Sequence, residues 1–146
     1  MQENEMKLEF DSRPCNDAFA RVAVAAFLTQ LNPTLEEVAD VKTAVSEAVT
    51  NAMIHGYEGN IEKIVIWCRI DGEKLTVEVS DGGNGIADVK QAMEPLFTTK
   101  PECDHAGMGF AFMEAFMDSL EVHSAPGKGT TVRMTKKITR SEKGGE

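Results

Sequence analysis

The chain has 146 residues and a net charge of −9 at pH 7, with 42% hydrophobic and 27% charged residues. This length suits one domain with enough core to fold alone, and the composition is ordinary for a soluble globular protein. The acidic balance argues against direct nucleic-acid binding, because phosphate contacts need clustered Lys and Arg. Three widely separated cysteines fit neither a zinc site nor a disulfide framework. The polar N-terminus predicts no signal peptide and no apolar run reaches membrane-spanning length, so we expect a cytoplasmic protein.

The spacing of apolar residues predicts a strand, two helices and a β-hairpin in the first half of the chain. These elements span residues 7–10, 17–31, 34–56, 64–70 and 75–80. The second helix opens with a capping box, because Thr34 precedes Glu37 by three positions. Its buried stripe is predicted to contain small and branched residues: Val41, Ala44, Val45, Ala48, Val49 and Ala52. Asp71-Gly72 is typical of a hairpin turn, and Trp67 on the preceding strand is expected in the core.

The second half of the chain predicts a further helix and hairpin after a less regular stretch. We expect a short helix over residues 87–94, a loop over 96–106, a helix over 109–119, strands over 120–124 and 130–138, and a frayed tail over 139–146. The longer helix is expected to turn four residues inward: Phe112, Met113, Phe116 and Met117. Helices mixed with antiparallel hairpins predict one α+β domain over residues 1–146, a two-layer α/β sandwich whose mixed, mainly antiparallel sheet carries helices on one face.

The second predicted helix carries an acid and an amide one turn apart. Glu47, Asn51 and His55 follow one another at intervals of four residues and therefore share a helix face. A carboxylate is suited to act as general base for a hydroxyl nucleophile, and an amide oxygen is a hard ligand suited to Mg²⁺. A solvated polar helix face accounts for the same residues equally well, so this segment alone leaves both interpretations open.

Two glycine-rich turns add features of a nucleotide site. Asp81 ends a predicted strand before Gly82-Gly83-Asn84-Gly85, where the acid can accept hydrogen bonds from an exocyclic amine while the glycines admit a flat ring. Gly107-Met108-Gly109 opens a helix whose free N–H groups and dipole attract anions. The P-loop pattern is absent, and the Rossmann fingerprint fits poorly. Ordinary turns are the alternative for each segment alone, but the three in this order make ATP the leading ligand.

Two further segments are compatible with a nucleotide. Thr98-Thr99-Lys100 brings two hydroxyls and a cation to the loop before the second glycine turn, as a lid over phosphates would. Thr130 begins the last predicted strand, where it is placed to touch a base from below. A surface loop and a β-turn are the respective alternatives.

Together these segments resemble the GHKL superfamily of ATPases and kinases, which implies the Bergerat ATP-binding fold. Over nearly the whole chain, the sequence resembles the anti-sigma factor serine kinases, in particular those of sporulation. The segments that carry this resemblance are Phe19-Ala20-Arg21-Val22, Ser46-Glu47-Ala48-Val49-Thr50-Asn51-Ala52, His55-Gly56-Tyr57, Pro95-Leu96-Phe97-Thr98-Thr99-Lys100-Pro101, Gly107-Met108-Gly109-Phe110 and Gly129-Thr130-Thr131.

The resemblance implies roles for individual residues. Glu47 would be the base for a serine hydroxyl, and Asn51 would hold Mg²⁺. Further contacts to ATP or ADP would come from Asp81, Gly83, Gly85 and Thr130 around the adenine, and from Thr98, Thr99, Gly107, Met108 and Gly109 around the phosphates. Arg21 would contact the sigma factor, and the substrate would be a serine on a STAS-type anti-anti-sigma protein. The family also suggests a homodimer.

One departure from the family pattern keeps an alternative open. The segment before Gly107 tends to be basic in the family, where a cation can steady the transferring phosphate, but here it reads Cys103-Asp104-His105-Ala106. A non-catalytic, nucleotide-gated sigma-binding module is therefore the alternative to the kinase, and a sister anti-sigma kinase of the stress response shares the same chemistry. The pairing of Glu47 with Asn51 favours the enzyme, because a pure binding module would not need it.

Overall fold

The computed structural model describes residues 3–86 and 109–139. Five strands lie within these ranges: Asn4–Asp11 (β1), Lys63–Asp71 (β2), Lys74–Asp81 (β3), Ser119–Ser124 (β4) and Thr130–Lys137 (β5). The described helices are Asn16–Leu28 (α1), Leu35–Asn51 (α2) and Gly109–Phe116 (α3), with a 3₁₀ turn at Thr29–Leu31 and a π-helical turn at Ala52–Gly56. The predicted helix over 87–94 and loop over 96–106 lie outside the described residues.

The five strands form one sheet in the order β1-β2-β3-β5-β4. Every pairing among the described strands is antiparallel. The β2–β3 connection is the predicted tight hairpin, in which Asp71 pairs with Lys74 and Gly72 adopts a φ of 65°. A positive φ at the first central residue is the conformation that glycine supplies in two-residue hairpins. The order places β3 at the centre of the sheet and brings its end beside the start of β5.

The helices cover one face of the sheet, and the core lies between the two layers. Along β2 the residues Ile64, Ile66 and Cys68 have no exposed surface. Burial raises the pKa of the Cys68 thiol to about 12, so this cysteine is unreactive in the folded chain. The prediction that Trp67 lies in the core is wrong. Trp67 alternates with the core residues of β2 and is half-buried on the opposite face, where it lines a shallow depression of about 550 Å³ with Glu78.

Helix α2 begins and packs as its sequence predicts. The Thr34 hydroxyl accepts the Glu37 N–H at 3.1 Å, and Glu37 Oε1 accepts the Thr34 N–H at 2.9 Å, completing the capping box. All six residues of the predicted stripe are buried: Val41, Ala44, Val45, Ala48, Val49 and Ala52. The other oxygen of Glu37 accepts the backbone N–H and the hydroxyl of Thr139, so the start of α2 also anchors the chain after β5.

Helix α3 packs on α2 through part of its predicted apolar face. Met113 and Met117 are buried, as expected. Phe112 and Phe116 are only half-buried and stack on each other with ring centroids 6.3 Å apart. Of the predicted tail, Thr139 is held by Glu37 and residues 140–146 lie outside the described part of the chain. No helix in residues 3–86 and 109–139 has the length and apolar character needed to cross a bilayer.

Candidate functional site

Three polar side chains form one cross-strand row at the end of the sheet. Asp81 on β3 pairs with Thr130 on β5, and Thr130 pairs in turn with Ser124 on β4. Each lies two residues from a core position of its strand, such as Val79 and Val132, so all three side chains face the helical layer. We call Asp81, Thr130 and Ser124 the polar row. At this end of the strands, the polar row stands where the rest of the sheet face has apolar core side chains.

The Asp81 carboxylate is held by backbone donors in a partly dry environment. The Gly83 N–H donates to Asp81 Oδ1 at 2.9 Å. Burial raises the pKa of the Asp81 carboxyl above its ordinary value, and hydrogen bonds from the backbone N–H groups of Gly83 and Thr130 offset part of that rise. An ionised carboxylate has about four acceptor sites, so these contacts leave capacity for a donor from a ligand.

The turn after β3 packs against the end of the second helix in direct backbone-to-backbone contact. A Cβ on Gly83 would lie 2.1 Å from the carbonyl oxygen of Gly56, and the Asn84 N–H donates to the same oxygen at 2.8 Å. Gly85 has a φ of 76°, and a Cβ there would lie 1.9 Å from the carbonyl oxygen of Ala125. Both predicted glycines are therefore required by close backbone approach, and Gly83 brings the α2 end against the strand end that carries Asp81.

The acid and the amide of the second helix lie where α2 changes its hydrogen-bonding pattern. Glu47 is buried, with 8% of its surface exposed, and half-buried Asn51 is the last α-helical residue. The chain then continues as a π-helical turn, in which the Tyr57 N–H donates to the Ala52 carbonyl at 2.9 Å. The regular spacing that placed His55 on the same face as Glu47 and Asn51 ends at this turn. Such π-helical turns occur often at functional sites.

Tyr57 connects this helix end to β2 and to the turn after β3, and its sequence context alone does not single it out as a functional residue. Its hydroxyl accepts the Gly82 N–H at 2.7 Å and donates to the Lys63 carbonyl at 2.5 Å. Burial raises the pKa of Tyr57, and the charge of Asp81 adds to that rise. Gly56 and Ser124 were also missed. The contacts of these two residues join distant parts of the chain. Only the His55-Gly56-Tyr57 segment pointed to Gly56 in the sequence, and Ser124 is identified by the β4–β5 register in the structure.

Arg21 lies apart from the polar row, on α1. Its Nε lies 3.4 Å from Asp17 Oδ2, and the same oxygen accepts the Ser46 hydroxyl at 3.1 Å. Ser46 directly precedes Glu47, so this cluster joins α1 to the middle of α2. The structure therefore groups Arg21 with Asp17 and Ser46 rather than with the groups proposed to bind a nucleotide.

Seven of the eleven residues predicted for catalysis and nucleotide binding lie within the described part of the chain. Six of these lie on α2, β3, β5 and the turn after β3: Glu47, Asn51, Asp81, Gly83, Gly85 and Thr130. Of the residues predicted around the phosphates, Gly109 is the first residue of α3, which packs on α2. Four lie outside the described residues: Thr98, Thr99, Gly107 and Met108.

Solved structures with this arrangement confirm the fold class. The crystal structure of the RsbU and RsbW domains of Rv1364c from Mycobacterium tuberculosis matches with a TM-score of 0.68 at 21% identity, covering 94% of this chain and 32% of that chain. The histidine kinase domain of a blue-light activated histidine kinase from Erythrobacter litoralis matches with a TM-score of 0.52 at 20% identity, covering 84% of this chain and 61% of that chain. The chain thus spans less than two thirds of either one, and at these identities the likeness concerns the fold alone.

Sequence comparisons assign the family. The model of the histidine kinase-like ATPase domain matches residues 10–136. An anti-sigma F factor of Thermoanaerobacter pseudethanolicus is 61% identical over 135 residues, covering 92% of this chain and 94% of the relative. Anti-sigma F factors of Clostridium novyi and Oceanobacillus iheyensis are 54% and 52% identical, covering 97% and 95% of this chain and 100% and 96% of the relatives. The chain therefore belongs to the anti-sigma F factors, a family built on the histidine kinase-like ATPase domain.

Proposed function

We propose that this chain is an ATP-dependent protein serine kinase that also binds and inhibits a sporulation sigma factor. Its substrate is a serine of a STAS-type anti-anti-sigma protein, which competes with the sigma factor. The observation that carries the proposal is the placement of the polar row against the end of α2, the helix that bears buried Glu47 and half-buried Asn51. This function belongs in the cytoplasm, where transcription takes place, and we propose that the chain acts as a homodimer.

The polar row is suited to the adenine end of ATP. Asp81 offers a carboxylate acceptor with spare capacity, and an exocyclic amine is a matching donor. The turn with Gly83 and Gly85 packs directly against the backbone of Gly56 and Ala125, so it holds the strand end that carries Asp81 in a fixed position for the base. Partial burial strengthens a hydrogen bond to Asp81 relative to the same bond in water.

The phosphate end fits Mg²⁺ bound with the nucleotide. Among residues 3–86 and 109–139, no cluster of three or more His, Cys, Asp or Glu side chains forms a metal site. Mg²⁺ commonly uses one or two protein ligands together with substrate phosphates and water, and Asn51 supplies a hard oxygen at the end of α2. When bound, Mg²⁺ would neutralise charge on the phosphate oxygens.

The transfer step assigns Glu47 the role of base. The substrate serine oxygen attacks the γ-phosphorus of ATP, and its proton moves to the Glu47 carboxylate. A new serine O–P bond forms while the bond between the γ-phosphorus and the β–γ bridging oxygen breaks, which releases ADP. Burial of Glu47 limits the hydration of its carboxylate, which favours its use as a proton acceptor from a bound substrate hydroxyl.

The exposed side of α1 is suited to a protein partner. Phe19 is 49% exposed and Val22 is 60% exposed, and both flank Arg21 in sequence. Arginine is enriched among the residues that dominate interface energetics, and Arg21 adjoins exposed Val22 on this helix. We assign this side of α1 to the sigma factor and, in competition, to the STAS-type protein.

Intact-protein mass spectrometry of a STAS-type partner tests the kinase proposal. The partner is incubated with Mg²⁺, ATP and the wild-type chain, the Glu47→Gln variant, or the Glu36→Gln variant as a control. Glu36 is an exposed glutamate in the first turn of the same helix. We expect one added phosphoryl group with wild type and Glu36→Gln, and none with Glu47→Gln, while all three bind ADP. Nucleotide-dependent partner binding without transfer by wild type would instead support the non-catalytic gated module.

A further inference from the structure

Ser124 uses all of its hydrogen-bonding capacity beside Thr130. The Ser124 Oγ accepts the backbone N–H of Ile86 at 2.7 Å and donates to the carbonyl oxygen of Gly129 at 2.9 Å. It also lies 2.8 Å from Thr130 Oγ1. Ser124, the last residue of β4, therefore connects the turn after β3 with the start of β5 through a single hydroxyl oxygen.

Counting protons assigns the direction of the Ser124–Thr130 hydrogen bond. A hydroxyl has one donor and two acceptor positions. The Gly129 carbonyl can only accept, so it takes the Ser124 proton, and the Ile86 N–H occupies one acceptor position. The remaining contact must then be a donation from the Thr130 hydroxyl to Ser124. Thr130 is left with lone pairs and no free proton, and it is largely buried, with 9% of its surface exposed.

The neighbour of Thr130 in the polar row is an acceptor as well. Asp81 pairs with Thr130 across β3 and β5, and its carboxylate acts as an acceptor, since Oδ1 accepts the Gly83 N–H. At position 6, an amino purine presents a donor to these acceptors, whereas a 6-oxo purine presents an acceptor there and carries its donor on the neighbouring N1. A buried acceptor facing an acceptor loses its hydrogen bond without recovering one from water, which is why such sites discriminate strongly.

We propose that Ser124 is a specificity-determining residue that holds Thr130 as a hydrogen-bond acceptor and thereby selects 6-amino over 6-oxo purine nucleotides. This inference rests on the proposed function, because it takes the polar row as the place where the base binds. Ser124 acts through Thr130, so it is a positioning residue. Without the Ser124 hydroxyl, the proton of the Thr130 hydroxyl is no longer used in that hydrogen bond and can be donated to a 6-oxo group.

Calorimetric titration with ADP and IDP tests the proposal. The two ligands have the same sugar and phosphates; their bases differ at position 6, where ADP has an amine and IDP an oxygen, and at N1, which carries a proton only in IDP. We expect wild type to bind ADP more tightly than IDP. In Ser124→Ala the ratio of the two affinities should fall by about three- to tenfold, the range of one hydrogen bond. Asp81 still favours the amine, so the preference should decrease rather than reverse.

Two further variants separate specificity from structural damage. The control is Ser80→Ala, because Ser80 and Thr131 form a matched hydroxyl pair at 2.9 Å between β3 and β5, on the face opposite the polar row. It should leave the ADP-to-IDP ratio unchanged. Thr130→Val removes the hydroxyl that Ser124 orients, so adding Ser124→Ala to Thr130→Val should produce no further change in the ratio.

The outcomes distinguish this inference from the proposed function. Equal losses of ADP and IDP affinity in Ser124→Ala would show a merely structural role and overturn the inference while leaving the nucleotide site intact. A drop in the ratio that persists in the Thr130→Val background would also overturn it, because the effect would not pass through Thr130. Wild type that binds neither nucleotide would overturn both proposals.

Discussion

Gly56 and Asp81 are in contact so close that no side chain can be placed between them. A Cβ on Gly56 would lie 2.7 Å from Asp81 Oδ1 and 3.0 Å from Oδ2. Gly56 ends the π-helical turn after α2, and Asp81 ends β3, so this contact sets the distance between the helical layer and the polar row. The proposed base-binding site therefore requires a residue without a side chain at position 56.

Replacing Gly56 by alanine should impair nucleotide binding more than folding. The new methyl group would push the Asp81 carboxylate from its position, and we expect ADP affinity to fall about tenfold or more, which corresponds to the loss of one well-placed charged hydrogen bond. Calorimetry measures the affinity. Gly82→Ala is the matched control, because its Cβ would meet nothing closer than the Tyr57 hydroxyl at 3.8 Å. Equal ADP affinity in Gly56→Ala and wild type would show that Asp81 does not contact the base.

Asp81→Asn should stabilise the nucleotide-free protein while weakening ADP binding. Burial raises the folded-state pKa of Asp81, so the folded state holds its proton more tightly than the unfolded state. Stability attributable to this group therefore falls as pH rises above the ordinary value of 3.8 and through the folded-state pKa. The Asn variant escapes that loss, but it replaces one acceptor with a donor that opposes the adenine amine.

Urea denaturation of wild type and Asp81→Asn across pH measures this effect. The free energy of unfolding of the variant, minus that of wild type, should increase from pH 3.5 toward pH 7, and ADP titration should show weaker binding. A difference that stays constant over this range would contradict a raised pKa for Asp81 in the folded state.

The sequence predicts the local structure of the segments that form the site better than it predicts the contacts between those segments. The capping box of Thr34 and Glu37 and the apolar stripe of α2 are local patterns, and the structure contains both. The Asp71-Gly72 hairpin aligns β2 with β3 and so fixes which side of β3 carries Asp81. These features depend on residues a few positions apart, which is the range over which periodicity and turn preferences act.

Features that depend on distant residues were not predictable in the same way. Alternation shows that Trp67 and Cys68 lie on opposite faces of β2, but it does not show which face the helices cover. The π-helical turn that ends the regular spacing of α2 before His55 lies where the end of α2 packs on the turn after β3. Ser124 became recognisable only when the β4–β5 register placed it beside Thr130.

Glu37 should contribute to stability at neutral pH and lose that contribution in acid. Burial by itself raises its pKa, but the hydrogen bonds from Thr139 and Thr34 outweigh burial, and the pKa of Glu37 lies below its ordinary value of 4.5. A lowered pKa gives stability that is present above pH 4.5 and is lost as pH falls through the folded-state pKa. Glu37→Gln should therefore cost about 1–3 kcal/mol at pH 7.

Urea titrations of Glu37→Gln and of its exposed neighbour variant Glu36→Gln provide the comparison. The Glu37 variant should be the less stable at pH 7, and its deficit should shrink at pH 3. An equal deficit at both values would mean that the carboxylate charge has no part in holding Thr139.

Arg21→Ala should weaken sigma-factor binding without changing ADP affinity. Arg21 lies within ion-pair distance of Asp17 on α1 and not on the strands that carry the polar row, so its removal leaves the proposed base contacts in place. Truncating an arginine at the centre of an interface typically costs about 2 kcal/mol or more, so we expect at least about a thirtyfold loss of affinity in a pull-down or calorimetric assay.

Arg21→Lys should recover only part of the lost affinity, because lysine lacks the planar donor fork. Arg133→Ala, which breaks an ion pair with Glu78 on the opposite sheet face, should leave both affinities unchanged. Normal sigma-factor binding by Arg21→Ala would move the partner surface away from this part of α1.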